Sequence, residues 1–210
     1  MEALLLIDLQ YDFCKNGTLA VPDGDAVIPV ANRLMGHFDL VVASQDWHPA
    51  DHLSFAANHP WRKPGQLIDL NGLEQVLWPV HCVQETFGAL LVKTLDTDRI
   101  DHVIQKGTDR EIDSYSAFYD NGKRKQTALH TYLQAQGVTA LTIMGLATDY
   151  CVKFTVLDAL QLGYNVRVVT DGCRGVNLSP DDSKNARRVM ELAGAQLTES
   201  AALASSPPVE

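Results

Sequence analysis

Short apolar runs recur along this chain at residues 3–7, 40–43, 102–105, 140–144 and 166–169, with a weaker one at 195–198. A strand with one face in water alternates apolar and polar residues, whereas runs like these suit a sheet covered on both faces, in practice a parallel sheet between helices. Between most of the runs the apolar spacing changes to that of a helix. Ala26, Val27, Val30, Ala31 and Leu34 follow it behind Asp23 and Asp25; Leu129, Tyr132 and Leu133 follow it before Gly137. Val152, Thr155, Val156, Ala159 and Leu160 do so before Gly163, and Ala186, Val189, Met190 and Ala193 before Gly194. A helix closed by glycine, with a strand a few residues later, is the punctuation of a βα repeat. The pattern predicts an α/β fold, a doubly wound three-layer sandwich.

Residues 47–91 break the rhythm. They carry Pro49, Pro60, Pro64, Pro79, all three tryptophans and three further histidines after His48, with no sustained period of either kind. A stretch of that length inside a compact domain reads as a small irregular lobe with a functional role. At 210 residues the chain can bury about 70% of its unfolded surface without disulfides or structural metal, so one domain is expected over 1–200. Residues 201–210, with Ser-Ser-Pro-Pro, read as a flexible tail.

Charge narrows the function. With 26 acidic against 17 basic side chains the net charge is -9, and no basic run exceeds Lys123, Arg124, Lys125, which argues against nucleic acid. The opening residues 1–8 lack a basic region and a signal-length apolar run, and nothing approaches about 20 apolar residues, so a cytoplasmic protein with no membrane partner is expected. Four cysteines, Cys14, Cys82, Cys151 and Cys173, show no CxxC spacing and read as free thiols.

Ligands of an open parallel sheet bind beyond the carboxyl ends of its strands, so polar residues just after the apolar runs carry most weight. Four qualify: Asp8, Asp46, Lys106 and Cys151. Cys151 falls at the start of a helix, where amide donors, the helix dipole and a nearby ammonium would lower its pKa. Asp8 beside it would take and return a proton, with Lys106 compensating charge. Asp46-x-His48, with His81 in Trp78-Pro79-Val80-His81-Cys82, makes a partial shell for a divalent metal. His52 reads as a residue behind that shell or on the surface, His59 as solvent-exposed, and His37, His102 and His130 as ordinary. Cys14, Cys82 and Cys173 read as packed thiols. Phe13, Trp78 and Tyr115 flank these segments and would wall a small flat pocket.

These segments resemble those of the nicotinamidases, also called pyrazinamidases, of the isochorismatase-like cysteine hydrolases. The resemblance rests on Asp8-Leu9-Gln10 with Asp12-Phe13-Cys14, Ser44-Gln45-Asp46-Trp47-His48-Pro49 with His52 and Ser54-Phe55-Ala56, Trp78-Pro79-Val80-His81-Cys82, Lys106-Gly107 with Asp113-Ser114-Tyr115-Ser116-Ala117-Phe118, and Gly145-Leu146-Ala147-Thr148-Asp149-Tyr150-Cys151-Val152. It spans about residues 4–194. It implies a six-stranded, mostly parallel sheet, an Asp8, Lys106, Cys151 triad, and one divalent metal on Asp46, His48 and His81, zinc first with iron or manganese as alternatives. It further implies a cis peptide between Leu146 and Ala147 and an oxyanion hole from the backbone amides of Ala147 and Cys151. The activity implied is hydrolysis of nicotinamide, and of pyrazinamide, to the acid and ammonia through a cysteine thioester, in the service of NAD salvage. Three other readings stand beside it: a related amide or carbamoyl hydrolase without metal, a two-histidine, one-carboxylate iron oxygenase, and a flavodoxin-like binding module. The last would need a Gly-rich first loop, where the chain has Leu9, Gln10, Tyr11. Monomer and homo-oligomer both remain open.

Overall fold

A computed structural model describes residues 1–204 of the chain. The first apolar run becomes β1 (Glu2–Ile7), buried from Ala3 onward, and the others become β2 (Val41–Asp46), β5 (His102–Lys106), β6 (Ala140–Leu146), β7 (Asn165–Arg174) and β8 (Gln196–Thr198). They form one six-stranded sheet in the order β5-β2-β1-β6-β7-β8, with every pairing parallel. Helices α1 (Ile28–Met35), α2 (Leu129–Ala135), α3 (Lys153–Gln161), α4 (Asp182–Leu192) and α5 (Ser200–Ala204) alternate with the strands. The pairs α1/α5 and α3/α4 pack together and each reaches β7, as the continuous apolar strands require. No helix among the described residues is long and apolar enough to cross a membrane.

The chain moves outward from β1 through β2 to β5, then returns to β6 and runs out the other way to β8. The order therefore reverses between β1 and β6, and the crevice beyond their carboxyl ends is where such a sheet takes a ligand. Asp8 and the segment from Ala147 to Cys151 emerge there.

Three expectations are corrected. The lobe is not wholly irregular: β3 (Leu67–Leu70) and β4 (Leu73–Val76) form an antiparallel hairpin. Its turn is Asn71-Gly72 with φ of 54° and 82°, the two-residue hairpin chemistry readable from the sequence. The tail begins later than residue 201, because Ser200–Ala204 is helical and the Ser200 hydroxyl and amide are held by Asp171; the rest of that prediction lies outside the described residues. The helical period read from about Thr148 starts as a π-helical turn, Thr148–Val152, and becomes α-helical only at Lys153.

Gly145 marks where β6 presses on β1. At φ 131°, a Cβ there would sit 2.2 Å from the Ile7 carbonyl oxygen and 2.7 Å from its amide nitrogen. Gly145→Ala is therefore expected to cost about 2–3 kcal/mol in urea unfolding through strain and overlap. An unchanged midpoint would show that the two strands can part freely.

Candidate active site

Asp8 leaves β1 fully buried, with φ 51° turning it across the strand ends. Ser44 of β2 donates its hydroxyl to Asp8 Oδ1 at 2.6 Å and accepts the Asp8 amide at 3.3 Å. Lys106 enters from β5, two strands away, and only a long side chain could span β2 to reach the same point. Its Nζ lies 3.0 Å from Asp8 Oδ2, 2.5 Å from Asp46 Oδ1, 2.9 Å from the Ser114 carbonyl oxygen and 3.4 Å from Cys151 Sγ. An ammonium has three protons for these four acceptors, so the sulfur and the oxygens share it. Burial alone would lower the Lys106 pKa, but Asp46 and Asp8 hold it well above its ordinary value. The structure thus brings the three sequence-selected residues into one cluster.

Cys151 differs from expectation in one respect. Burial pushes its thiol well up, and Asp8 and Asp46 add to that, while Lys106 alone opposes. The sequence suggested a lowered pKa because the helix start and the lysine were visible there, and the enclosing carboxylates were not. Burial likewise raises the Asp8 carboxyl despite Lys106 and Ser44. The resting pair is a protonated thiol beside a carboxylate of more than ordinary basicity, an arrangement suited to passing the proton at the moment of attack.

Asp46 ends β2 and is clamped by Gln10, whose Oε1 accepts the Asp46 amide at 2.8 Å while its Nε2 donates to the Asp46 and Ala89 carbonyl oxygens, each at 2.8 Å. Despite burial, Lys106 and His48 keep the Asp46 carboxyl well below the usual range. His48 Nδ1 donates to the Gly107 carbonyl and His81 Nδ1 to the Pro79 carbonyl, both at 2.8 Å. A carbonyl partner places the proton on Nδ1 and leaves the Nε2 lone pair free. Those two Nε2 atoms face Asp46 Oδ2 at 3.5 and 3.8 Å, and His48 Nε2 has no hydrogen-bond partner. Two oriented imidazole lone pairs and one carboxylate within 4.8 Å of one another fit a divalent cation.

His52 is fully buried, which removes the surface alternative and leaves the position behind the metal shell. Its Nδ1 accepts from the Ser54 amide at 3.1 Å and pairs with the Ser54 hydroxyl at 2.7 Å, so the proton sits on Nε2, which is unpartnered. Burial drops its pKa to about 4. Its ring lies 4.4 Å from that of His48, and His48, His52 and Asp113 make a second close cluster. In this arrangement His52 offers a donor rather than a ligand. His59, expected in solvent, is half-buried, with Nε2 2.7 Å from the Leu53 carbonyl oxygen.

Cys151 of the first constellation and Asp46 and His81 of the second line one tight cavity of about 20 Å3, together with Phe13, Trp78, Asp113, Tyr115, Ala147 and Tyr150. That is about the room of one water molecule, well below the roughly 300–1,000 Å3 of open small-molecule sites. The three expected aromatic walls are all there. Phe13 stands edge-on to His81 at 5.5 Å, and Trp78 Nε1 donates to Tyr115 Oη at 3.3 Å. The Leu146–Ala147 peptide is cis, and Asp149 anchors the turn by accepting the amides of Val176 and Asn177 at 2.9 and 2.7 Å. Cys14, Cys82 and Cys173 are buried free thiols, with burial raising Cys14 to about 11 and Cys173 to about 12. His102 stacks on Tyr132 and His130 pairs with Tyr164, both away from the cavity. Sequence reasoning held Gln10, Ser44, Asp113 and Tyr150 only as motif residues and gave them no role; the first two sit beside selected residues and were readable as polar groups in apolar company.

The isochorismatase domain model matches residues 2–202. The nicotinamidase of Escherichia coli K12 is 55% identical over 203 residues, 93% of each chain. A nicotinamidase and pyrazinamidase structure from Acinetobacter baumannii superposes with a TM-score of 0.94 at 40% identity, covering 96% of this chain and 97% of its own. The pyrazinamidase of Pyrococcus horikoshii in complex with zinc gives 0.76 at 36% identity, covering 94% and 98%.

Proposed function

The chain belongs to the isochorismatase family, and on that premise we infer that it hydrolyses nicotinamide to nicotinate and ammonia, with pyrazinamide as a further substrate. The activity returns the pyridine ring to NAD salvage. The observation that supports this reading is the Lys106 ammonium, 3.0 Å from Asp8 Oδ2, 2.5 Å from Asp46 Oδ1 and 3.4 Å from Cys151 Sγ, beside a cavity lined by Cys151, Asp46 and His81.

In the mechanism we propose, Asp8 takes the Cys151 proton as the sulfur attacks the carboxamide carbon. The backbone amides of Ala147 and Cys151 receive the oxyanion. Asp8 then hands its proton to the departing nitrogen, ammonia leaves, and a thioester remains on Cys151. Water deprotonated by Asp8 attacks that thioester and releases nicotinate and the thiol. Lys106 stays charged throughout and offsets the negative charge that moves between Asp8 and the sulfur. Phe13, Trp78 and Tyr115 enclose the ring and exclude water. A divalent cation on Asp46, His48 and His81, zinc by preference, would supply a Lewis acid for the ring nitrogen.

Incubating the purified protein with nicotinamide, with ammonia, nicotinate and bound metal measured on one sample, tests the reading; absence of both products would overturn it. The metal assignment has its own test. His81→Ala is expected to lose most bound metal by elemental analysis and to raise KM for nicotinamide, while Cys151 still reacts with iodoacetamide. Full metal content in that variant would remove His81 from the ligand set. The raised Asp8 pKa sets a third expectation: kcat/KM falls on the acid side at a pH above the ordinary carboxylate value of 3.8, because protonated Asp8 cannot accept the thiol proton. A profile flat down to pH 4 would remove Asp8 from the role of base.

A further inference from the structure

The cavity above Cys151 has a neighbour. An open cavity of about 340 Å3 lies between the β3–β4 hairpin and helices α3 and α4, with apolar walls from Leu67, Val76, Phe154 and Val189 and charged groups at Glu74, Asp149, Lys153 and Asp182. Tyr115 and Tyr150 line both spaces, so their rings form the wall between them.

The two rings are held very differently. Tyr115 Oη accepts from Trp78 Nε1 at 3.3 Å and from Gln75 Nε2 at 3.1 Å, so removing it would strand the buried Trp78 N–H, while Gln75 Nε2 keeps the Val76 carbonyl and Asp113. Tyr150 Oη makes no hydrogen bond among the described residues. Its ring is kept by edge contacts with Trp78 at 4.8 Å and Tyr115 at 5.3 Å, and by the Lys153 ammonium 5.8 Å from its centroid. It is half-buried and immediately precedes Cys151. Of the two, only Tyr150 can be shortened without leaving a buried polar group unpaired.

We propose that Tyr150 is a specificity-determining residue that sets the upper size of the acyl group by closing the catalytic cavity off from the outer one. The outer cavity is then a subsite for an apolar ring substituent, which Tyr150 excludes. Its apolar walls favour such a group, and the carboxylates of Glu74, Asp149 and Asp182, set against the single ammonium of Lys153, disfavour an anionic one. The proposal rests on the reading of Cys151 as nucleophile toward a pyridine carboxamide.

The experiment compares kcat/KM for nicotinamide with that for nicotinamides carrying a phenyl group at C2, C4, C5 or C6. The parent protein is expected to hydrolyse all four substituted amides at least 100-fold more slowly than nicotinamide. Tyr150→Ala should narrow that ratio at least tenfold for one or more positions, whereas Tyr150→Phe should keep it, because the ring and not the hydroxyl is the wall. Tyr150→Leu, which retains an apolar contact on Trp78, serves if alanine destabilises the turn. Val189→Trp refills the outer cavity; alone it should leave nicotinamide kinetics unchanged, and combined with Tyr150→Ala it should restore the parent ratio. An unchanged ratio in folded Tyr150→Ala and Tyr150→Leu, or a gain that survives Val189→Trp, overturns the proposal. Failure of the parent to hydrolyse nicotinamide would instead overturn the underlying reading of the site.

Discussion

Cys151→Ala is expected to lower nicotinamide kcat/KM on the order of 10^5-fold while the protein still unfolds cooperatively near the parent midpoint. The size of the loss follows from the covalent route: without the sulfur no thioester forms, and what remains is binding and the two backbone amides acting on water. The mild structural effect follows from the site. The thiol is a small side chain, and Lys106 Nζ, 3.4 Å from it, has three oxygen acceptors left when the sulfur goes. Cys14→Ala and Cys173→Ala should each keep substantial activity, since neither thiol lines the cavity and burial holds both well protonated. Steady-state ammonia release together with urea unfolding checks this. Near-parental turnover in folded Cys151→Ala would sink the covalent mechanism, and loss of turnover in Cys14→Ala would call for a second thiol in the chemistry.

The sheet was legible because its central strands β1, β2 and β6 are buried on both faces, and continuous burial leaves a mark that needs no neighbour to interpret. Strands β3 and β4 left no such mark: Leu67 and Asp69 are exposed in one and Glu74 in the other, so the apolar pattern was too thin to count. Asn71-Gly72 was the signal there, and it is a signal of the turn rather than of the strands. In the site, the residues themselves were legible because parallel strands deliver the residue after each run to one edge. Their electrostatics were not. The Cys151 pKa depends on carboxylates that arrive from β1 and β2, and the clamp of Gln10 on Asp46 joins residues 36 apart in the chain. His52 shows the same limit. The sequence left it either behind the metal shell or on the surface, and only the Ser54 amide and hydroxyl on its Nδ1 decide which nitrogen carries the proton.

Lys106→Met is expected to cost about 3–5 kcal/mol of stability at neutral pH and on the order of 10^3-fold in kcat/KM. Methionine roughly keeps the volume and flexibility of the side chain, so the change isolates the charge. In the parent the ammonium lies within 3.0 Å of carboxylate oxygens from both Asp8 and Asp46, all three groups buried. Such a triplet adds little stability as a whole, yet removing one member leaves charge that nothing nearby neutralises, and that step is the costly one. The pH dependence fixes the cause. Without Lys106, the Asp8 and Asp46 carboxyls in the folded state are raised above their unfolded values, so the variant is least penalised below the unfolded carboxylate pKa and loses stability as pH rises through the raised folded values. The parent behaves oppositely at Asp46, whose depressed carboxyl contributes stability at neutral pH and loses it as pH falls. The gap between the two proteins should therefore shrink on going from pH 8 to pH 5. Urea unfolding of both proteins after chelator treatment measures it, because a bound divalent cation would itself offset Asp46. A gap that is constant or wider at pH 5 would mean that lost packing around the lysine stem, and not the stranded carboxylates, is what destabilises the variant.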